Sequence, residues 1–488
     1  MKTLAAKALY LLCGTLILYL LFSNQAYDDP FITYRYAANL AHGLGFVYNP
    51  GERVLSTTTP LFALLLALLS AFSADLPHLA NLIGAFSLAL GGLFLWDLAQ
   101  TWKAPLAGWV CLLIYPTFPL LLTTLGSETP LYLALCLGAF ASYARQKYLS
   151  AAAFSALALL ARPDGALVPV LLAADFVLGW IRPSTDLRRP EFPWAAILLF
   201  FGLALPWFIF AWGYFGSPLP ATLAAKQQQG AMAISQRFAP GFLALAGGYA
   251  VHWTYRIEAV LALLGGLWML RKGRPWLLLL VWTVLYFAAY SILGVSRYTW
   301  YYAPLVPGFA ALVGLGFEAI YALVGSAAGS RTPGTDRRIS PAAGLPVLAV
   351  LGLLAVGQAG DLRLLSRQTD PRVPAYRAVG DWLRENTPAG ARVGALEVGV
   401  IGFYAQRPMI DFAGLIQPEV ARQMSASSTY ADTAMWAVEH YRPDYLVLHE
   451  GNFARLEQSY VPQHCRLARR FPGSDYGYSA NLDIYSCP

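Results

Sequence analysis

The sequence predicts a polytopic α-helical membrane protein that ends in a soluble α/β domain, and three observations predict it. Apolar residues make up 57% of the 488 positions and charged residues only 12%, with a mean hydropathy of +0.49. That is more apolar surface than a soluble domain can bury. Basic residues fall in short clusters between long apolar stretches, so the net charge of +7 marks topology and excludes a nucleic-acid patch. After Gly360 charges become frequent and short alternating apolar runs replace the long ones.

The first span runs from Leu4 to Phe22, with a thin basic flank at Lys2 and Lys7 that puts its N-terminus in the cytoplasm. No small-residue cleavage site with a soluble domain follows it, so it reads as a retained span. Asp28 and Asp29 come directly after it and therefore face outward. Next, Phe31, Tyr34, Ala38 and Ala41 recur at helical spacing and predict an amphipathic helix in the outer interface. The apolar stretch Pro60 to Phe72 is shorter than the roughly 20 residues a span needs. It reads as a second interfacial helix, or as a short tilted span that would shift the parity of every later helix.

Lys103 ends the span of Leu79 to Leu98, Arg145 and Lys147 end that of Leu131 to Tyr143, and Arg182, Arg188 and Arg189 end the next apolar pair. Arg271, Lys272 and Arg274 follow another pair, and Arg331, Arg337 and Arg338 lie in a Gly, Ser, Thr and Pro-rich linker from Gly325 to Pro341. Placing all these clusters in the cytoplasm gives about 10 to 12 spans. The opposite side then receives Asp28 and Asp29, the turn Gly126-Ser127-Glu128, the loop from Gly216 to Lys226, and Arg297 to Tyr302.

If Ala342 to Val356 runs outward as the last span, the chain divides into a membrane module, residues 1–360, and an extracytoplasmic domain, residues 361–488. Asp381 to Tyr404 reads as a helix, a turn and a buried strand. Ala391 to Ala395 and Tyr445 to Leu448 read as strands, so an α/β layer is expected. Cys13, Cys111 and Cys136 fall in apolar spans as packing residues, whereas Cys465 and Cys487 in the tail can bridge in an oxidising compartment. No spacing resembles a zinc site, a phosphate-binding loop, a dinucleotide fingerprint or a nucleophile elbow. His42 with Glu52 is too little to make a metal site.

The segment DDPFITYRYAANLAHGLGFVYNPGERV, Asp28 to Val54, resembles the first outer loop of GT-C glycosyltransferases, in particular the branch of bacterial terminal arabinofuranosyltransferases. LGSETPLY, Leu125 to Tyr132, is similar to that branch's Gly-x-Glu-Thr turn. ARPDG, Ala161 to Gly165, is similar to its Arg-Pro-acid-Gly motif. YFGSPLPATLAAK, Tyr214 to Lys226, resembles its loop ending in Lys, and Asp381 to Gly414 resembles its soluble domain. The sequence departs at Ser56-Thr57-Thr58-Thr59-Pro60, where a Gly-Tyr-Thr-Asn-like run is expected, and at Ser296 to Tyr302.

The resemblance implies a GT-C architecture and inverting transfer of a sugar, with arabinofuranose favoured, from a polyprenyl-phosphate donor. The acceptor is an envelope glycan, lipid or protein at the outer face of a bacterial plasma membrane. A polytopic flippase or transporter of lipid-linked sugars is the competing class, although no internal repeat is visible and the carboxylates cluster outside the spans.

An acceptor hydroxyl is a poor nucleophile, and a carboxylate within reach can take its proton. Asp28 is the first candidate base, and Asp29 orients it, holds the acceptor or helps to bind a divalent cation; no other cofactor is expected. Positive charge is needed at the departing phosphate. Lys226, Arg297 and Arg35 are the candidates, each alternatively a side chain snorkelling to the headgroups. Glu128 is read as acceptor-binding or as support for the base, against the simpler role of complementing a helix dipole. Arg162 and Asp164 interrupt an apolar stretch as a structural pair or as substrate contacts. Trp300, Tyr301 and Tyr302 stack on a sugar or belong to an interfacial aromatic belt.

Overall fold

A computed structural model describes residues 3–181, 191–327 and 341–487. Lys2, Arg182, Arg188, Arg189, Arg331, Arg337 and Arg338 lie outside the described residues. Among those described, six helices are long and apolar enough to cross a membrane: Leu4–Phe22, Leu76–Thr101, Pro163–Ile181, Trp194–Phe215, Thr299–Val324 and Gly344–Leu365. Six shorter apolar helices of 10–17 residues accompany them. The chain is a multi-span membrane protein.

Helix Leu76–Thr101 is the axis of the bundle, with 67% of its apolar window buried against 6% for Leu4–Phe22 at the periphery. Between apolar helices in lipid, small residues let backbones meet. Gly265 and Gly316 do this for the crossing of Trp253–Lys272 with Val306–Ala327: a Cβ at Gly265 would lie 1.9 Å from Leu312 O, and one at Gly316 2.2 Å from Leu261 O. Lys7 and Arg145 both reach Asp97, at 2.7 and 2.8 Å, so these two basic residues share one end of the bundle, as a common side requires.

The first loop differs from its expected form. Asp28–Ala41 is a helix with both carboxylates in its first turn, but Pro30 to Ala37 are all buried, so it does not lie with one face in the headgroups. Its apolar residue Phe31 packs against Phe403 and Tyr404, with ring centroids 5.6 and 6.0 Å away. The tail domain thus covers the apolar face that sequence alone assigns to the headgroups. Pro60–Leu69 is a ten-residue helix that buries Phe62, Ala63 and Leu66 and exposes Leu64 and Leu68.

Helix Pro341–Leu365 passes through residue 360 without a break, and the α/β fold begins with helix Arg372–Asn386. Its strands are β1 (Val393–Ala395), β2 (Met409–Asp411), β3 (Tyr445–His449), β4 (Arg466–Phe471) and β5 (Leu482–Ser486), in the order β2-β1-β3-β5-β4. β1 is parallel to both β2 and β3, whereas β5 runs antiparallel to β3 and β4. The chain therefore leaves β1 and returns on either side of it, which opens a crevice at the carboxyl ends of these strands. Cys465 and Cys487 form a disulfide at the opposite edge, between the start of β4 and the end of β5. The expected strand after Ala391 is real but stops at Ala395, and Val400–Ala405 is a short helix.

That crevice faces the first loop. Tyr48 donates to Val398 O at 2.5 Å, and Asn49 pairs with both backbone groups of Met409 at 2.9 Å. One hydrophobic cluster contains Phe31, Tyr34 and Tyr48 together with Val379, Ile401 and Ile484, so the loop and the tail domain share a core.

Candidate active site

The four segments that the topology sends to one side converge on a single cavity of about 390 Å³. Its wall contains Asp29, Glu128, Lys226 and Tyr301 of the expected residues, with Tyr27, Arg162, Asp164, Tyr290 and Trp300. Asp28 stands behind this wall.

Lys226 sits on helix Thr222–Ala231, where Thr222, Lys226 and Gln229 recur at i, i+4 and i+7 and so share the buried face. Its ammonium is 3.2 Å from Asp29 Oδ2 and 3.7 Å from the centroid of the Tyr298 ring. Tyr298 is itself held by donating to Gln229 Oε1 at 2.9 Å. Burial pushes the Lys226 pKa down, but the charge and hydrogen bond of Asp29 together with Tyr301 and Tyr430 outweigh it and the net shift is upward, so the ammonium keeps its proton. Tyr27 stacks on Trp300 at 4.9 Å and closes this side of the wall.

Helix Tyr148–Ala161 stops at Arg162 because the residue before Pro163 is driven to extended backbone. The guanidinium then forks onto Asp164, at 3.1 and 2.8 Å, and also donates to Thr129 Oγ1 and to the Tyr290 hydroxyl. Glu128 lies 3.7 Å from it. Burial raises the Glu128 pKa and the Arg162 charge opposes that shift. Sequence left Arg162 and Asp164 open between a structural pair and a substrate contact; they are an ion pair that also lines the cavity.

The tail domain completes the site. The Asp28 carboxylate accepts N–H groups from Gly399 at 3.0 Å and Val400 at 2.7 Å, just beyond the end of β1. Residue 399 must be Gly, since a Cβ there would lie 2.0 Å from Asp28 O. Burial pushes the Asp28 carboxyl up to about 6, the two amides opposing and the Asp29 charge adding. Glu397, between β1 and Gly399, is pushed up to about 8, by burial first and the Asp28 charge second. Asp411, at the end of β2, accepts the amides of Ala413, Leu415 and Ile416 yet is raised by burial to about 7; Leu415 reaches the cavity wall.

Three expected phosphate or sugar contacts lie outside the cavity. Arg35 is 5% exposed, and its guanidinium donates to the carbonyls of Tyr48, Gly402 and Arg407, which fastens the loop to the tail domain away from the cavity. Arg297 is exposed and donates to Gln236 Oε1 at 2.7 Å. Tyr302 is fully buried, stacked on Phe238 with its hydroxyl on Phe238 O. Among the described residues no group of three or more His, Cys, Asp or Glu side chains is arranged to hold a metal ion.

Glu397, Asp411, Tyr27 and Tyr290 were not anticipated. The signal for Glu397 was its place directly after a predicted buried strand, where open α/β sheets bind their ligands.

The sequence family described as a domain of unknown function, DUF8728, matches residues 365–485, and no curated protein matches the sequence. Among solved structures, ArnT from Cupriavidus metallidurans superposes with a TM-score of 0.64 at 14% identity, over 98% of this chain and 97% of that one. A further ArnT structure is bound to undecaprenyl phosphate. The archaeal oligosaccharyltransferase AglB from Archaeoglobus fulgidus, in complex with an inhibitory peptide and a dolichol-phosphate, gives 0.60 at 16% identity, over 91% of this chain and 69% of that one. The arabinofuranosyltransferase AftD from Mycobacteria gives 0.53 at 16% identity, over 98% of this chain and 40% of that one. At these identities the likeness is one of fold, and the fold is that of the GT-C membrane glycosyltransferases.

Proposed function

We propose that this GT-C-fold protein is an inverting glycosyltransferase that moves a sugar from a polyprenyl-phosphate donor to an envelope glycan, lipid or protein. The reaction takes place at the outer face of a bacterial plasma membrane. One observation carries the reading: a single cavity sets Asp29 beside two buried cations, Lys226 and Arg162, with Asp28 directly behind the wall where the tail domain covers this end of the bundle.

Asp28 is the base. Asp29 is committed to Lys226, whereas Asp28 is held by two amides and has a pKa of about 6, suited to taking a proton near neutral pH. The acceptor oxygen attacks the anomeric carbon and its proton passes to Asp28. The bond from that carbon to the phosphate oxygen breaks, and its electron pair leaves on the phosphate. Lys226, aimed by Asp29 and the Tyr298 ring, meets the charge that develops there. Arg162 is already forked onto Asp164 and stiffens the wall around Glu128.

The lipid phosphates named in the ArnT and AglB structures support a polyprenyl-linked donor, and the AftD likeness supports arabinofuranose among the sugars. The test is transfer from radiolabelled polyprenyl-phosphate sugars to envelope acceptors by wild type and Asp28→Asn. Label moved by wild type and lost in the variant is the expected result. No transfer, with donors crossing the bilayer through both proteins, would instead make the chain a flippase.

A further inference from the structure

The acidic side chains around the site divide by whether their oxygens are already used. Asp28 and Asp411 accept backbone amides, Asp29 faces Lys226, and Asp164 and Glu128 face Arg162. Glu397 is different. It accepts no hydrogen bond and joins no ion pair among the described residues, yet it is only half-buried and its oxygens are not sealed in by the fold. Tyr430, the first residue of helix Tyr430–Tyr441, is half-buried in the same way, and its hydroxyl also has no partner among the described residues.

Both side chains belong to the tail domain and stand close to the base. Glu397 comes two residues before Gly399, whose amide holds Asp28 at 3.0 Å, and the charges that bear on it include Asp28, Asp29 and Asp411. Those that bear on Tyr430 are Tyr298, Lys226, Asp411 and Glu397 itself. Asp28, Asp29 and Tyr298 are half-buried as well, so polar surface remains on both sides of the seam where the tail domain meets the first loop and the bundle. Inversion requires the acceptor to attack from the face opposite the departing phosphate. Lys226 marks the phosphate side, and Asp28, held by tail-domain amides, marks the acceptor side.

Resting on the glycosyl-transfer reading above, we infer that Glu397 and Tyr430 hold the acceptor, and that this acceptor is a sugar with a second hydroxyl beside the attacking one, not the lone hydroxyl of a protein side chain. Asp28 takes the proton of one hydroxyl, which leaves the open Glu397 carboxyl for its neighbour. Burial first and the Asp28 charge second push that carboxyl up to about 8, so at neutral pH it carries a proton and can both donate to and accept from a sugar hydroxyl. The Tyr430 side chain adds an apolar ring with a polar tip, a shape suited to a sugar. A site built to hydrogen-bond a hydroxyl rejects the analogue that lacks it, which here means a serine or threonine side chain.

The test uses the full-length protein in lipid nanodiscs, with undecaprenyl-phosphoryl arabinofuranose and undecaprenyl-phosphoryl mannose as donors. The acceptor probes are octyl α-D-arabinofuranoside, octyl α-D-mannopyranoside and an acetylated threonine peptide amide. Wild type is expected to transfer to a glycoside in preference to the peptide. Glu397→Ala and Tyr430→Phe each raise KM for that glycoside by about tenfold, while KM for the donor stays as in wild type. Glu397→Gln, which also donates and accepts, keeps the acceptor KM near wild type. Among monodeoxy forms of the glycoside, one raises KM in wild type and no longer does so in Glu397→Ala, a coupling that a merely structural residue would not show. Preference for the peptide, an unchanged acceptor KM in Glu397→Ala, a raised one in Glu397→Gln, or deoxy effects that persist in Glu397→Ala overturn the inference and leave the glycosyl-transfer reading standing. No transfer by wild type from either donor to any probe overturns both.

Discussion

Lys226 Nζ lies 3.2 Å from Asp29 Oδ2, a pair that joins the helix after the fourth long span to the loop after the first. If Asp29 aims Lys226 at the donor phosphate, the two act as a unit and their deletions are not additive. Lys226→Ala is expected to lower kcat/KM by about 10² to 10³, the range for losing one charge-stabilising donor. The Asp29→Asn, Lys226→Ala double variant should fall little further. A double-mutant cycle on transfer rates measures this, and an additive result would separate the two residues.

Asp28 as base gives the rate an acid limb. With its carboxyl pushed up to about 6, activity should rise with pH through that value and level off above it. Asp28→Asn should lose about 10² to 10⁴ in kcat on the plateau above that value and should show no acid limb. A pH profile of kcat/KM checks both statements.

Stability is expected to run the other way. Asp28, Glu397 and Asp411 have folded-state pKa values of about 6, 8 and 7, all above their unfolded values, so the folded chain holds protons that the unfolded chain releases. Their contribution is fully present below about pH 4 and is lost as pH rises through about 6 to 8. Glu397→Gln, which cannot ionise, should therefore raise Tm at pH 8.5 and change it little at pH 5. Thermal melts at the two pH values decide it.

Gly399→Ala tests whether the tail domain completes the site. The new Cβ would lie 2.0 Å from Asp28 O and 2.6 Å from Asp28 Oδ2, so either the carboxylate or the segment after β1 must move. A displacement near 1 Å at a reacting group costs about 10² in rate. Activity should fall by that order while the tail domain keeps its far-UV signature and resists proteolysis.

Cys465→Ser removes a bridge that closes a loop with a sequence separation of 22, at the edge of the sheet away from β1. The tail domain should lose about 3 kcal/mol of stability. Transfer by the folded variant should stay near wild type, because no cavity residue lies on β4 or β5. Denaturant unfolding and a transfer assay on one sample measure the two effects.

The parts of this structure that sequence revealed are those whose cause is local. Apolar length gives the spans, the aspartates follow directly on the first helix, and β3 is legible because Tyr-Leu-Val-Leu is bounded by Pro443 and Glu450. The carbonyl partners of Arg35 were not legible because a guanidinium on a helix is compatible with a phosphate or with three carbonyls, and two of those carbonyls belong to residues 402 and 407. Val400–Ala405 has the β-branched and aromatic residues of a strand, and only its docking against the first loop makes a helix there. The interfacial helix failed for the same reason: its sequence shows an apolar face, not the domain that packs against it.

Asp28 receives its two amide donors from residues 371 and 372 positions later in the chain. At translation rates of 5 to 20 residues per second, roughly 20 to 75 s separate the synthesis of the carboxylate from that of the amides. During that interval a nascent protein can have its spans inserted and its cation pairs formed while the base is still unheld. A chain stalled or cleaved before Gly399 would occupy the bilayer, bind lipid and do no chemistry. Completion of the polypeptide therefore acts as the last step of active-site assembly, so partial products are inert instead of promiscuous.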